Sequence, residues 1–107
     1  MTTAKFLFSD DTIISFELSG HSGAGEEGTD IVCSAISSAV YMAANTIIEI
    51  MKLSPETVVR DGYLKVQMNL DDARKSKVIT DGLYLHLGEL QSQYPNNLKL
   101  ERGVFNA

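Results

Sequence analysis

Residues 20–37 of this chain read GHSGAGEEGTDIVCSAIS and contain its only cysteine, Cys33, and one of its two histidines, His21. The pattern is typical of a strand end, a glycine-rich loop and a helix start. Asp30 is a good helix N-cap and the apolar periodicity begins directly after it, which places Cys33 in the first helical turn. There, unpaired N–H groups and the positive end of the helix dipole favour an anion such as a thiolate. The segment therefore predicts a reactive cysteine.

Cys33 also has a structural interpretation, because an unpaired cysteine on an apolar helix is more often a small buried hydrophobe than a nucleophile. A histidine that leaves a strand can meet a cysteine that begins the next helix, which favours His21 as a base for Cys33. Taken alone, His21 could equally cap the strand end or bond a loop carbonyl. The alternative base is His86, which lies in the middle of a predicted helix.

The residues around this pair have both structural and chemical interpretations. N-capping alone explains Asp30, although its carboxylate could also orient His21. Ser37 lies one helical turn after Cys33 on the same face, where it could bond the sulfur or the substrate, or simply allow close packing. Glycines predict a loop that moves or brings its backbone close to another group. They are Gly20, Gly23, Gly25 and Gly28.

Length and composition limit the possible function classes. With 107 residues, of which 44% are hydrophobic and 21% charged, the chain is predicted to be a single globular domain over residues 1–107. A net charge of −5 argues against a nucleic-acid-binding surface. One cysteine cannot form an internal disulfide, which favours a reducing, cytoplasmic compartment. We expect no membrane association, because no signal pattern is present and no run approaches the roughly 18 apolar residues of a membrane span.

The sequence does not predict a metal site or a nucleotide-binding site. Two histidines and one cysteine at these spacings do not make a tetrahedral metal set. Gly23, Gly25 and Gly28 resemble a dinucleotide-binding pattern, but the βαβ unit that should follow is missing. We therefore expect neither a metal nor a cofactor.

Hydrophobic periodicity predicts an α+β domain. Strict alternation of apolar and polar residues indicates strands, steps of three and four indicate amphipathic helices, and Asp61-Gly62 suggests a hairpin with a type I′ turn. The predicted elements are strands at 4–9 and 12–19, a helix at 30–53, strands at 57–60 and 63–70, a helix at 72–94 and a strand at 98–104. The order β-β-α-β-β-α-β predicts a two-layer sandwich, with a mostly antiparallel sheet carrying two helices on one face.

A known family shares the central segment of this sequence. Gly20-His21-Ser22, the glycine-containing loop, and Asp30-Ile31-Val32-Cys33-Ser34-Ala35 together resemble the signature of the ribosomal-processing cysteine proteases, the Prp family. The resemblance covers essentially the whole chain, including both hairpins and both predicted helices. Its departures are small, since Ser22 and Ser34 stand where many members carry alanine.

The resemblance implies a cytoplasmic bacterial endopeptidase that works as a homodimer. Its substrate would be the N-terminal extension of a large-subunit ribosomal protein, the twenty-seventh, which ends in a hydrophobic, phenylalanine-rich motif. Cys33 matches the family's nucleophile and His21 its base, while Gly20, Asp30 and Ser37 match supporting positions. The loop that begins at Ser22 would be the flexible loop of the family. No cofactor is implied.

Local physics and the resemblance together predict one mechanism. The helix N-terminus and the His21 imidazolium stabilise a Cys33 thiolate, which attacks the scissile carbonyl. First-turn N–H groups, that of Cys33 included, are expected to hold the oxyanion. His21 then protonates the leaving amine, and water hydrolyses the thioester. The acidic chain would attract a basic ribosomal protein.

Two other function classes stay open at this point. A non-catalytic, ribosome-associated peptide-binding module would use the same groove with Cys33 packed in the core, so that alkylation of the thiol would be slow. A thiol redox sensor would form a mixed or intermolecular disulfide and would not need His21. Neither accounts for the whole constellation from Gly20 to Cys33.

Overall fold

The structure, a computed structural model, describes residues 1–20 and 30–105. Within these residues the chain forms five strands, three α-helices and a short π-helical segment. In chain order they are β1 (Thr2–Ser9), β2 (Thr12–Gly20), α1 (Ile31–Asn45), the π-helical segment (Thr46–Ile50), β3 (Glu56–Arg60), β4 (Tyr63–Gln67), α2 (Leu70–Lys75), α3 (Lys77–Gln93) and β5 (Leu98–Val104).

The strands form one sheet in the order β3-β4-β2-β1-β5. All neighbours pair antiparallel except β1 and β5, which run parallel. The predicted α+β fold with a mostly antiparallel sheet is confirmed. Within the described residues, the first strand, β1, and the last, β5, thus lie side by side, and β3 forms one open edge.

Alternating side chains direct one face of the sheet toward the helices. On β1, Ala4, Phe6 and Phe8 are buried while Lys5 is exposed. The rings of Phe6 and Phe8 each meet Tyr84 of α3 edge-on, with centroids 5.0 and 5.4 Å apart. Burying a side chain of this size stabilises the fold by about 1.5–3 kcal/mol. The largest fully buried apolar side chains are Phe6, Phe16, Ile13, Ile36, Ile47, Leu87, Leu98 and Val66.

A β-bulge interrupts the alternation near the start of β2. Leu7 pairs with Ser15 and Phe8 with Ile13, so Ile14 is an extra residue on that strand. Both isoleucines are consequently buried, and the carbonyl of Ile14 accepts the Met68 N–H at 2.8 Å. The bulge ties the β1–β2 hairpin to the segment that follows β4.

Helix α1 and the π-helical segment together cover most of the predicted first helix. The helical backbone ends before Lys52, whose φ of 59° no helix can accommodate. Residues Ile31–Ile50 form one 20-residue stretch of mean hydropathy 1.7, long and apolar enough to cross a membrane by length and composition. The expectation that no run approaches this length is therefore wrong. The finding is weak evidence for a membrane span, because a core helix passes the same test.

The second half of the chain departs from the predicted elements in two places. Asn69 caps a new helix by accepting the Asp72 N–H at 2.8 Å, so β4 ends at Gln67 and not at residue 70. The predicted helix 72–94 is split into α2 and α3, because the backbone of Ser76 leaves the helical region at φ −94° and ψ 3°. The observed order is therefore β-β-α-β-β-α-α-β.

The hairpin between β3 and β4 forms as predicted, but its turn is of another type. Arg60 pairs with Tyr63 across the two-residue turn. A type I′ turn needs positive φ at both central residues. Only Gly62, at φ 70°, meets this condition, because Asp61 is not among the residues with positive φ. The prediction of a type I′ turn is wrong.

Candidate active site

Asp30 fixes the start of α1 and thereby the position of Cys33. The Asp30 side chain is buried, and its Oδ1 accepts the backbone N–H of Cys33 at 3.0 Å. Its own carbonyl accepts the Ser34 N–H at 3.0 Å, the first bond of the helix. The extended backbone of Asp30, at φ −73° and ψ 108°, is typical of an N-cap. The predicted cap, with Cys33 in the first turn, is confirmed.

The Asp30 cap contradicts the expectation that the Cys33 N–H holds the oxyanion. Because the Cys33 N–H already donates to Asp30 Oδ1, it is engaged and not free to hold an oxyanion. The other N–H groups of the first turn belong to Ile31 and Val32. The positive end of the helix dipole still lies beside the thiol, so the general attraction for an anion at this position remains.

Cys33 lies at a small cavity between α1 and the sheet. Cys33 is half-buried, and the cavity beside it has a volume of about 150 Å³. Ser37 lines the same cavity one turn further along α1, as their predicted common face requires. The full lining consists of Leu18, Gly20, Cys33, Ser37, Val40, Tyr41, Arg60, Gly62, Tyr63 and Leu64. The lining therefore mixes apolar side chains with the Cys33 thiol, the Ser37 hydroxyl and the polar groups of Arg60 and the tyrosines.

Gly20 joins the end of β2 to the hairpin wall of this cavity. Its N–H donates to the carbonyl of Gly62 at 2.9 Å. Its φ of +86° is a left-handed conformation that side chains with a Cβ rarely adopt, and an added Cβ would lie 2.6 Å from the carbonyl oxygen of Met1. Glycine is therefore required at the residue directly before His21.

On the hairpin side, Arg60 and Tyr63 form a linked pair. The Arg60 guanidinium lies 4.2 Å from the centroid of the Tyr63 ring, and the Tyr63 hydroxyl donates to Glu17 Oε2 at 2.5 Å. This hydrogen bond raises the pKa of Tyr63 above its usual value, burial and the Glu17 charge add to the rise, and the Arg60 charge opposes it. The Tyr63–Glu17 hydrogen bond joins β4 to β2 beside the cavity.

The structure places several of the predicted site residues close together. Cys33, Ser37 and Gly20 line one cavity, and Asp30 supports it through the helix cap. The sequence did not predict the hairpin wall of the cavity. It indicated the Asp61-Gly62 turn but not the position of that turn beside Cys33. Five predicted positions lie outside the described residues: His21, Ser22, Gly23, Gly25 and Gly28.

The alternative base, His86, is in a different place. It lines a groove between α1 and α3 together with Ala39 and Met42, and this groove does not include Cys33. The described residues therefore give no contact between His86 and the thiol. Across residues 1–20 and 30–105, no group of three or more histidine, cysteine, aspartate or glutamate side chains could hold a metal ion.

Comparisons with known proteins assign the family. A family model described as cysteine protease Prp matches residues 1–99. The chain is 30% identical over 101 residues to the ribosomal processing cysteine protease Prp of Bacillus subtilis strain 168, a match that covers 89% of this chain and 90% of that protein.

Solved structures show the same fold. Prp from S. aureus, crystallised with a covalently linked product peptide, gives a TM-score of 0.87 at 23% identity and covers 95% of this chain and 99% of that one. SMU.848 from Streptococcus mutans gives a TM-score of 0.80 at 25% identity, covering 98% and 96% of the two chains. Because the family model spans nearly the whole sequence, the chain belongs to the Prp family and is a cysteine protease.

Proposed function

We propose that this protease removes the N-terminal extension of one protein of the large ribosomal subunit, the twenty-seventh. The observation that carries the proposal is the position of Cys33, in the first turn of α1 at a cavity shared with Gly20, the neighbour of His21. The Bacillus subtilis relative is named a ribosomal processing protease, and S. aureus Prp was crystallised with a product peptide and with a substrate peptide. These names support a peptide substrate from the ribosome.

In the proposed mechanism, His21 is the base and Cys33 the nucleophile. His21 takes the thiol proton, and Cys33 Sγ forms a bond to the scissile carbonyl carbon. The carbon–nitrogen bond then breaks, and His21 returns the proton to the leaving amine. Water loses a proton to His21 and attacks the thioester, which releases the second product as a carboxylate and restores the thiol. The α1 N-terminus stabilises the thiolate by its dipole.

The supporting residues act through position. Asp30 holds the first turn of α1 by its bond to the Cys33 N–H. Ser37 offers a hydroxyl to the substrate within the cavity. Gly20 allows β2 to end beside the hairpin. Ser22, Gly23, Gly25 and Gly28 are proposed to contribute to binding of the peptide.

The cavity has apolar side chains that an apolar residue of the substrate could contact. Leu18, Val40 and Leu64 line it together with the polar groups of Arg60 and Tyr63, and its volume of about 150 Å³ is on the scale of one side chain. An apolar residue next to the scissile bond would lose contact with water there, which favours binding by about 25 cal/mol per Å² of apolar surface. This supports a phenylalanine-rich junction as the bond that is cut.

The protease is further proposed to act in the cytoplasm as a homodimer, without a cofactor. A single cysteine fits a reducing compartment. The dimer comes from the family resemblance, and sedimentation of the purified protein at several concentrations tests it. A mass of one chain at all concentrations would contradict it.

The decisive experiment is cleavage of a peptide that spans the extension and its phenylalanine-containing junction, with products identified by mass. We expect the wild type to cut one bond, Cys33→Ala to be inactive, and His21→Ala to lose about a hundredfold or more in kcat/KM. His86→Ala is the matched control and should keep full activity, since His86 lies in a different groove from Cys33.

Two other outcomes would redirect the assignment. Tight peptide binding without cleavage by the wild type would indicate a peptide-binding module. Activity that depends on oxidant and survives in His21→Ala would indicate a thiol redox sensor.

A further inference from the structure

Strand β3 is an edge strand whose residues are all exposed. It pairs with β4 on one side only, because it is the outermost strand of the sheet on that side. All five of its residues are exposed, and Val58 and Val59 at its centre are 41% and 61% exposed. An open edge with apolar residues at its centre is a template for pairing with another extended chain.

The register shows which backbone groups face the open edge. Arg60 and Tyr63 close a two-residue turn, so they form a hydrogen-bonded pair, and such pairs alternate along an antiparallel ladder. Glu56, Val58 and Arg60 therefore bond to β4. The N–H and C=O groups of Thr57 and Val59 point to the open edge instead.

The C-terminal end of β3 borders the cavity that contains Cys33. Strand β3 ends at Arg60, which lines the same cavity as Cys33. Val59 pairs with Leu64, another residue of that cavity, and the two side chains lie on the same face of the sheet. The Gly20 N–H holds the hairpin turn in place through the Gly62 carbonyl. A peptide strand that pairs with β3 would therefore have one end beside Cys33.

We propose that the substrate binds as an added β-strand along the open edge of β3, with hydrogen bonds to the backbone of Thr57 and Val59. This inference rests on the proposed function and specifies how the peptide is held. The occupant is an extended peptide segment with an apolar residue opposite Val59, where an apolar side chain covers exposed valine surface. Main-chain bonds hold the segment, and the scissile bond reaches Cys33.

The first test removes one outward N–H from β3. Thr57→Pro deletes a donor that the β3–β4 ladder does not use, and proline is tolerated on edge strands at such positions. We expect kcat/KM for the wild-type substrate peptide to fall about three- to tenfold, the effect of one lost hydrogen bond.

The matched control is the same change on the opposite edge. The Phe105 N–H donates to the Phe8 carbonyl, so the N–H of Val104, one residue earlier, points away from β1. Val104→Pro should leave kcat/KM unchanged. Thermal unfolding of both variants establishes that they are folded.

The second test uses the intact enzyme with N-methylated peptides, so its result does not depend on the folding of a variant. In either strand orientation, methylation at alternate residues of the segment along β3 should lower kcat/KM, and methylation at the residues between them should not. Equal effects at all positions would overturn the inference. A folded Thr57→Pro variant that cleaves like the wild type would also overturn the inference. If such a variant has lost dimerisation but kept its activity, the edge is an interface between two copies of this chain. Absence of any cleavage by the wild type would instead contradict the proposed function.

Discussion

Gly20 contributes to the site through its backbone alone. Its φ of +86° and the carbonyl oxygen of Met1, 2.6 Å from where a Cβ would lie, leave no room for a side chain. We expect Gly20→Ala to lower the free energy of unfolding by about 1–3 kcal/mol, measured by urea denaturation. Gly82→Ala is the control, because no atom lies within 4 Å of the added Cβ and the residue is inside α3. That change should stabilise the protein by about 0.5–1 kcal/mol. Equal stabilities for the two variants would contradict the interpretation.

Tyr63 makes stability depend on pH in the alkaline range. Its folded-state pKa is raised above 10.0, chiefly by the hydrogen bond to Glu17. A raised pKa means that the folded state binds the proton more tightly than the unfolded state. The stabilisation is complete below the ordinary value of 10.0 and is lost as pH rises through the folded-state pKa.

Ultraviolet absorbance of tyrosinate during a pH titration measures this effect. The wild type should show a phenol that ionises above its ordinary range, and Tyr63→Phe should remove that late component. Glu17→Gln keeps an acceptor oxygen but removes the charge, so the late component should move toward the ordinary range. Identical titrations of the wild type and Glu17→Gln would show that the charge of Glu17 does not contribute to the shift.

Among the elements, the first turn of α1 determines where the thiol lies. Asp30→Ala removes the cap of Cys33 and should cost about 1 kcal/mol of stability, seen as a fall of several degrees in Tm. Asp30→Ser keeps an oxygen acceptor and should recover most of that loss. A Tm for Asp30→Ala equal to that of the wild type would show that the helix start does not need the cap.

Local signals predicted the elements that local interactions control. Asp30 and the apolar periodicity after it were sufficient for the start of α1, and Asp61-Gly62 for the β3–β4 hairpin. The break at Ser76 was missed because no glycine or proline marks it in the sequence, and the end of β4 because the Asn69 cap was not recognised.

The hairpin wall of the cavity could not be predicted from local sequence. Its place beside Cys33 depends on the pairing of β4 with β2, for example Leu64 with Leu18, which are far apart in the chain. The engaged N–H of Cys33 was missed for a different reason. The cap was predicted, but its consequence for the oxyanion was not drawn.

At the scale of the whole molecule, net charge should influence substrate capture. The chain carries a net charge of −5, and ribosomal substrates are basic. Raising the ionic strength from about 0.01 M to about 1 M shortens the screening length from about 30 Å to about 3 Å. We expect kcat/KM for a peptide with lysine- and arginine-rich flanks to fall several-fold over this range. A peptide with glutamine in those positions should respond much less, and equal salt dependence would exclude long-range attraction.

The parallel pairing of β1 with β5 sets the order in which the protein can fold during its own synthesis. Both antiparallel hairpins join neighbouring segments and can form while the chain is still being made. The edge of β1, by contrast, has no partner until Leu98–Val104 has left the ribosome. A nascent chain stalled before residue 98 would therefore keep that edge uncovered and should be far more sensitive to proteolysis than the released protein.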